Sequence, residues 1–228
     1  MLIKPRSKFA KKLRKLTGST PSQPDTRIAV WESCKLLYVR NPKCANSSII
    51  GSIKDAQLGR ADRADIINLS SEWTSFSFVR NPWARLVSTY QDKASPESAA
   101  WRADRLHIQG FLDAGIPIDT DMTFADFCEV VCDLPDDATE KHLRSQTSVL
   151  IHRGSPIVSY IGRVENIKED WRTLMARAGL NIELLHLNKS GGEHYSRYYR
   201  DKALVKIVAD RYADDIRIFN YDFDMAKL

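Results

Sequence analysis

The sequence predicts an α/β protein in which a parallel β-sheet lies between two layers of helices. Three short apolar segments carry this prediction, at residues 35–39, 75–79 and 157–161. Runs of this length suit buried strands, and each is followed by a polar turn and a helical pattern. Strand–turn–helix units in succession indicate parallel strands covered by helices on both faces. Because such sheets bind ligands at the carboxyl ends of their strands, we expect function in the turns that follow these strands.

Helices are predicted after each strand from their apolar periodicity and their end signals. Pro82 suits the first turn of one helix, where its missing N–H costs little, and Gly179 suits the end of another. The segment 98–150, between the second and third strands, is predicted to be mainly helical. The other predicted helices cover residues 48–56, 82–92, 165–178 and 201–219.

Length and charge indicate one folded domain behind a basic tail. The 228 residues are 43% hydrophobic, which is enough for a substantial core. The first fifteen residues hold seven Lys and Arg and no acid, so subtracting seven from the net charge of +5 leaves −2 for the remainder. We therefore divide the chain into a basic tail and linker, 1–27, and a folded domain, 28–228. A nearly neutral body without an evident basic patch does not favour nucleic-acid binding.

The tail leaves two interpretations open. Phe9, Leu13 and Leu16 would form one apolar stripe on a basic helix, which could lie on an anionic membrane surface; the alternative is a solvated, frayed terminus. No stretch has the roughly 20 apolar residues of a membrane-spanning helix, and the first residues are too basic for a secretory signal. The four cysteines form no CxxC pair, so we expect reduced thiols in a cytoplasmic protein.

The turn after the first predicted strand has the composition of an anion site. Residues 40–48 leave a buried strand and enter a helix, whose start offers free N–H groups to a phosphate. Ser47 and Ser48 add hydroxyl donors, and Lys43 adds a mobile positive charge. The G-x-x-x-x-G-K-[ST] pattern of nucleoside-triphosphate loops is absent. The alternative is an ordinary helix start with Asn46 or Ser47 as the capping residue.

The turn after the second predicted strand places an arginine at the strand end. The planar fork of Arg80 can bind a phosphate with two hydrogen bonds. Ser88 lies two helical turns into the following helix. The pair could bracket one phosphate group.

Together the two turns resemble the signatures of a known family. Residues 42–48 are similar to a P-K-x-A-x-[ST]-[ST] loop, and residues 78–90 are similar to F-V-R-[ND]-P-x-x-R-[LF]-x-S-x-Y. Both patterns are typical of the carbohydrate sulfotransferases of the Golgi type (sulfotransferase family 2) and their bacterial relatives, which use 3′-phosphoadenosine 5′-phosphosulfate (PAPS). The resemblance covers roughly residues 35–224, and it continues in the segments 160–165, 187–190, 194–199 and 211–223.

This resemblance implies a fold, a donor and a set of binding residues. The fold would be the sulfotransferase variant of the P-loop nucleotide-hydrolase fold. The reaction would move a sulfuryl group from PAPS to an acceptor hydroxyl, in this family usually that of a carbohydrate. Arg80 and Ser88 would hold the 3′-phosphate, and Lys189 and Ser190 would close over the nucleotide. The 5′-phosphosulfate would be held by the loop residues Lys43, Cys44, Ala45, Asn46, Ser47 and Ser48.

The resemblance also suggests how the residues act in the reaction. Lys43 would stabilise the charge that grows on the bridging oxygen of the donor. His142 lies in a stretch similar to H-[WL]-x-x-Q and is the candidate general base, with Glu165 as the alternative. No metal is expected, because the second strand ends in Arg80 rather than in a magnesium-binding Asp.

Two other functions remain open at the level of sequence. The first is a kinase on a similar sheet, although the nucleotide loop and the magnesium carboxylates that it requires are not found. The second is a catalytically inactive nucleotide-binding relative that acts at a membrane surface through the basic tail.

Overall fold

The computed structural model describes residues 26–96, 98, 108–116, 118, 121–136, 139–185 and 194–223. The chain divides into two compact units. In the described residues, the first unit comprises 26–79 and 149–185, and the second comprises those of 80–148 and 194–223. The tail before residue 26 lies outside the described residues, so membrane contact through it stays a prediction.

The first unit is built on a five-stranded sheet with the strand order β3-β1-β2-β4-β7. β2, β4 and β7 run parallel, whereas β1 is antiparallel to both of its neighbours, β2 and β3. Two further short strands, β5 and β6, form a separate antiparallel pair. The strands are β1 Thr26–Trp31, β2 Leu36–Val39, β3 Gln57–Ala61, β4 Thr74–Val79, β5 Ile151–His152, β6 Ser155–Pro156 and β7 Tyr160–Arg163.

The predicted α/β class is confirmed, but the sheet is mixed rather than wholly parallel. The three predicted strands correspond to β2, β4 and β7, although β7 begins at Tyr160 rather than at residue 157. The prediction missed β1 and β3. β1 begins at Thr26, directly after the Gly-, Ser- and Pro-rich linker, and two residues before the predicted start of the domain at 28. β3 is largely exposed and lacks an apolar run, so its sequence carries little strand signal.

Nine α-helices are described across the two units. The predicted helix over 201–219 is wrong in one respect, because Tyr212 ends one helix and starts the next. Tyr212 is buried, and its hydroxyl donates to the carbonyl of Leu143. This hydrogen bond holds Tyr212 at the break between the two helices. The helices are α1 Asn46–Ser52, α2 Arg63–Leu69, α3 Pro82–Lys93, α4 Gln109–Asp113, α5 Phe124–Asp133, α6 Gln146–Leu150, α7 Ile167–Arg177, α8 Lys202–Arg211 and α9 Ala213–Phe219.

The central strands of the sheet are buried along their whole length. All four residues of β2 are buried, as are the last five of β4. Successive side chains alternate between the two faces, and Tyr38 and Phe76 stack on one face with ring centroids 5.0 Å apart. Ile49 of α1 and Trp171 of α7 belong to the same apolar cluster. This face therefore packs against α1 and α7, and it holds the carboxyl ends of β2 and β4 in fixed register.

One glycine of the sheet is required by close packing. Gly162 in β7 pairs with Phe78 in β4. A Cβ atom on Gly162 would lie 2.5 Å from a ring carbon of Phe78, closer than real contacts allow. Any side chain here would displace the Phe78 ring, and with it the end of β4.

The second unit has its own helical core. The helices α3, α5 and α8 pack around an apolar cluster that includes the buried side chains of Phe111, Phe127 and Tyr199. Tyr199 donates its hydroxyl to the carbonyl of Trp83, which anchors the first turn of α3. Among the described residues, no helix combines the length and the apolar composition that a membrane span needs.

Candidate active site

The loop between β2 and α1 has an unusual backbone. Lys43 and Ala45 both adopt the left-handed conformation, with φ of 65° and 60°. This conformation costs a residue with a side chain roughly 1–2 kcal/mol, so the surrounding contacts must stabilise it. Ala45 is the N-cap of α1 and makes no side-chain capping bond. The alternative prediction, with Asn46 or Ser47 as the cap, is therefore wrong.

Buried polar side chains hold this loop in shape. Asn41 is fully buried and donates from Nδ2 to the carbonyl of Phe78 at 3.0 Å. The carbonyl of Asn41 accepts from Asn46 Nδ2 at 2.9 Å. The Tyr38 hydroxyl donates to Asn46 Oδ1 at 2.6 Å, so both ends of the Asn46 amide are engaged. Burial raises the pKa of Tyr38 well above its usual value, and its hydroxyl stays protonated as a donor.

These contacts divide the predicted donor-binding residues of the loop into two groups. The Cys44 side chain is buried in the core and its thiol points to the carbonyl of Pro42 at 3.5 Å. Cys44 and the Asn46 side chain therefore serve the structure of the loop. Lys43 is half-buried and Ser47 is exposed, so both are accessible to a ligand. The amides of Asn46 and Ser47 have no partner within α1, because they belong to its first turn.

The turn between β4 and α3 has a different construction. Asn81 Oδ1 accepts from the amides of Trp83 and Ala84 at 3.1 and 3.3 Å, and caps the helix. Asn81 Nδ2 donates to the carbonyl of Asp222 at 2.9 Å. The helix begins at Pro82, which confirms its predicted place in the first turn. Arg80 precedes this cap, and Ser88 is the seventh residue of α3; both side chains are half-buried.

The side chain of one glutamine binds both backbone polar groups of Arg80. Gln146 Oε1 accepts from the Arg80 N–H at 2.8 Å, and Gln146 Nε2 donates to the Arg80 carbonyl at 2.8 Å. The Gln146 side chain is fully buried. Asp215, also fully buried, accepts from the amides of Gln146 and Thr147 at 2.8 and 2.7 Å.

Sequence reasoning gave neither Gln146 nor Asp215 a role. Both lie within the stretches that resemble the family, at 142–146 and 211–216, so a signal was present. Their partners could not be inferred, because Gln146 lies 66 residues from Arg80 and 69 from Asp215.

His142 forms a pair with a buried carboxylate. Its Nδ1 lies 2.7 Å from Glu140 Oε2, which also accepts the His142 amide at 2.7 Å. Lys141 Nζ contacts the other oxygen of Glu140 at 2.8 Å. The rings of His142 and Phe111 are nearly parallel, at 18°, with centroids 6.3 Å apart.

The protonation states of this pair follow from its surroundings. Burial alone would raise the pKa of Glu140, but hydrogen bonds from His142 and Lys141 outweigh it and lower the pKa to about 2. Burial lowers the pKa of His142 below its usual value, although Glu140 partly opposes this. At neutral pH the pair is therefore a carboxylate and a neutral imidazole. Nδ1 donates to Glu140, which leaves Nε2 as a proton acceptor.

The remaining predicted site residues are placed as follows. Glu165, the alternative base, is exposed in a short 3₁₀ turn, Val164–Asn166, at the end of β7 in the first unit. Lys189 and Ser190, predicted to close over the nucleotide, lie outside the described residues.

The parallel strands β2, β4 and β7, covered by helices, define the class of this protein as α/β, and proteins of this class bind ligands at the carboxyl ends of such strands. Comparison with protein-family models identifies the family within this class. Residues 26–222 match the model of the Sulfotransferase family, and the chain belongs to this family. The match confirms the resemblance to sulfotransferase family 2 and assigns the chain the sulfotransferase fold. Comparisons with curated proteins and with solved structures gave no significant match.

Proposed function

We propose that this sulfotransferase transfers a sulfuryl group from PAPS to a hydroxyl of a carbohydrate acceptor. The observation that carries the proposal is the fixed backbone of Arg80, directly after a central strand. Gln146 binds both the N–H and the carbonyl of Arg80. A guanidinium carried by a fixed backbone at a strand end suits a doubly charged phosphate, which it can bind with two bonds. The PAPS donor carries such a group at its 3′ position.

The first loop suits the opposite end of the donor. Lys43 and Ser47 are accessible to a ligand, and the amides of the first turn of α1 can donate to phosphate oxygens. The assignment of both turns to one donor rests on the two sequence signatures at residues 42–48 and 78–90.

Lys43 is proposed to lower the barrier to transfer. PAPS supplies a sulfuryl group whose bond to a phosphate oxygen breaks, so negative charge grows on that oxygen. An ammonium group beside it stabilises the transition state more than the ground state. The left-handed backbone of Lys43 is held by a rigid loop, which suits a group that must keep one position.

His142 is proposed to accept the proton of the acceptor hydroxyl at Nε2. The proton on Nδ1 is directed to Glu140, so the tautomer needed for this role is the one that the pair stabilises. Burial lowers the pKa of His142, so the ring stays neutral to a lower pH than that of an ordinary histidine. Glu140 thus orients the base and takes no direct part in transfer.

A cavity in the second unit supports a carbohydrate acceptor. It has a volume of about 530 Å³, within the range of small-molecule sites. Its lining includes Tyr198, the buried rings of Tyr90 and Phe124, and the exposed Arg197 and Arg200. Aromatic faces with polar groups around them suit the apolar faces and hydroxyls of a sugar ring.

Calorimetry and transfer assays test the proposal. Adenosine 3′,5′-bisphosphate should bind the purified protein, and adenosine 5′-monophosphate, which lacks the 3′-phosphate, should bind much more weakly. Labelled sulfate from PAPS should pass to one member of a panel of glycans, lipids and small alcohols. No binding of the bisphosphate at millimolar concentration would remove the donor from the proposal. Binding of ATP with magnesium, but not of the bisphosphate, would favour the kinase, and bisphosphate binding without transfer would favour an inactive relative.

A further inference from the structure

The backbone of Arg80 lies one residue beyond the end of the ladder between β4 and β7. The parallel ladder between β4 and β7 ends at the pair Val79 and Arg163. Arg80 is the next residue along the chain, and its N–H and carbonyl bind the Gln146 side chain instead. A side-chain amide offers the same donor and acceptor groups as a peptide. Gln146 therefore takes the place of a neighbouring strand for this one residue.

Gln146 is itself held in place by Asp215 of α9. Both carboxylate oxygens of Asp215 are engaged, one by the amide of Gln146 and the other by that of Thr147. Asp215 and Gln146 are fully buried, so these bonds are shielded from water. Breaking any of them would leave a buried polar group unpaired, which is costly. Asp215 and Gln146 thus form a continuous series of hydrogen bonds from α9 to the backbone of Arg80, which we call the buried relay.

On the other side of Arg80 the chain is equally constrained. Asn81 caps α3 and donates to the carbonyl of Asp222. The backbone on both sides of the Arg80 side chain is therefore fixed, and the direction in which that side chain leaves the chain is fixed with it.

We infer that Gln146 and Asp215 are positioning residues for donor binding: they fix the Arg80 peptide so that its guanidinium meets the 3′-phosphate with both hydrogen bonds. The inference rests on the proposed function of Arg80. Neither residue touches the donor, and both act through Arg80. A two-bonded contact depends on direction more than a single ionic contact does, so loosening the peptide should weaken binding even though the charge is kept.

A double-mutant cycle tests this inference. The variants are Gln146→Met, which keeps the side-chain volume without the amide, Arg80→Met, and the two combined. Calorimetry with adenosine 3′,5′-bisphosphate measures the Kd of each. Loss of partners that orient metal ligands weakens binding about 10- to 100-fold, and we expect about tenfold for Gln146→Met. Because Gln146 acts through Arg80, the combined variant should bind no more weakly than Arg80→Met alone.

A second measurement separates positioning from general stability. Gln91→Met is the matched control, since Gln91 also makes a side-chain hydrogen bond in this unit, but to the Tyr198 hydroxyl. It should leave the Kd unchanged even where it lowers the Tm. In the transfer assay, Gln146→Met should raise the KM for PAPS and leave the KM for the acceptor and the pH profile of kcat as in the wild type.

If Gln146→Met fails to fold, Asp215→Asn replaces it in the cycle. Asparagine keeps the size of the side chain but offers only one acceptor to the two amides, so a smaller rise in Kd is expected. The inference is overturned if either variant lowers the Tm and binds the bisphosphate as tightly as the wild type, or if its effect adds fully to that of Arg80→Met. A wild type that ignores the bisphosphate, or an Arg80→Met variant that binds normally, would instead refute the proposed function.

Discussion

The same tetrapeptide, Val-Arg-Asn-Pro, occurs twice in this protein with two different structures. It spans 39–42 at the end of β2 and 79–82 at the end of β4, and the two strands are parallel neighbours. In the second copy the helix begins at the proline, and the asparagine caps it. In the first copy three more residues precede the helix, two of them with left-handed backbone, and the buried asparagine binds the carbonyl of Phe78 instead.

The difference shows that the residues after the tetrapeptide decide what it does. Where Trp83, Ala84 and Arg85 continue a helix, the asparagine side chain acts as an acceptor for helix amides. Where Lys43, Cys44 and Ala45 form an extra turn, the equivalent side chain acts as a donor and stabilises a loop. We therefore expect the first copy to serve charge stabilisation through Lys43, and the second to serve binding through Arg80.

The largest effect is expected for Lys43→Ala. Loss of one preorganised group at a developing charge lowers kcat about 100- to 1,000-fold. The Kd for adenosine 3′,5′-bisphosphate should change far less, because this ligand lacks the sulfuryl group. Steady-state kinetics and calorimetry measure the two quantities, with exposed Lys54→Ala in the same unit as the control. A Kd that rises as much as kcat falls would contradict the assignment of charge stabilisation to the first turn and of binding to the second.

Next in size is Arg80→Met. Charged hydrogen bonds contribute about 1.5–3 kcal/mol each, so the loss of two bonds should raise the Kd for the bisphosphate about 100-fold or more. Arg80→Lys should recover only part of the affinity, because an ammonium cannot form the two-bonded contact.

The matched control is Arg40→Met, at the equivalent position of the first copy. Arg40 Nε is buried without a hydrogen-bond partner among the described residues, and burial lowers the pKa of this guanidinium. Because the family signature assigns the 3′-phosphate to Arg80 and not to Arg40, we expect a much smaller loss of affinity. Equal losses at the two arginines would mean that the second copy has no special part in binding.

Glu140→Gln tests the base, which lies outside both copies. The amide can still accept from Nδ1, but the negative charge that raises the pKa of His142 is lost. We expect kcat to fall about tenfold, a fraction of the about 100- to 10,000-fold that a general base contributes. The acid limb of the kcat–pH profile should move to lower pH. Lys141→Met should move it to higher pH, because Lys141 lowers the pKa of His142. Shifts of the same sign would exclude His142 as the titrating group.

The smallest effects are expected for Asn41→Ser and Asn81→Ser, compared by urea unfolding. Serine caps helices about as well as asparagine, so at residue 81 most of the cap is kept. The bond from Asn81 Nδ2 to the carbonyl of Asp222 is lost, but Asp222 is exposed and water can take its place. At residue 41 serine is too short to reach the Phe78 carbonyl, and an unpaired buried group costs about 1–3 kcal/mol. The free energy of unfolding should fall more for Asn41→Ser. Equal losses in the free energy of unfolding would show that the two asparagines contribute equally to stability.

Much of the sheet could be predicted from sequence because its central strands are buried on both faces. β2, with the sequence LLYV, is an unbroken apolar run, and β4, with the sequence TSFSFV, carries two phenylalanines and a valine among small hydroxyl residues. The exposed β3 has no comparable apolar content. The break at Tyr212 was missed for a different reason. It depends on a hydrogen bond to Leu143, 69 residues away, and no local pattern records such a bond.

The positions of the two turns could also be predicted, but not their internal structure. The cap of α1 is Ala45, which depends on a left-handed backbone that composition does not indicate. His142 was singled out from its motif, yet its partner Glu140 emerged only from the geometry. Both features lie within a few residues of the predicted ones, yet each depends on a local backbone conformation that residue types alone do not specify.

The buried relay behind Arg80 has a consequence for how the protein is made. Gln146 follows Arg80 by 66 residues, and Asp215 follows Gln146 by 69. A ribosome adds about 5–20 residues per second, so Asp215 is synthesised on the order of ten seconds after Arg80. Until then the nascent chain holds Arg80 without the full set of hydrogen bonds that fix its backbone in the folded protein.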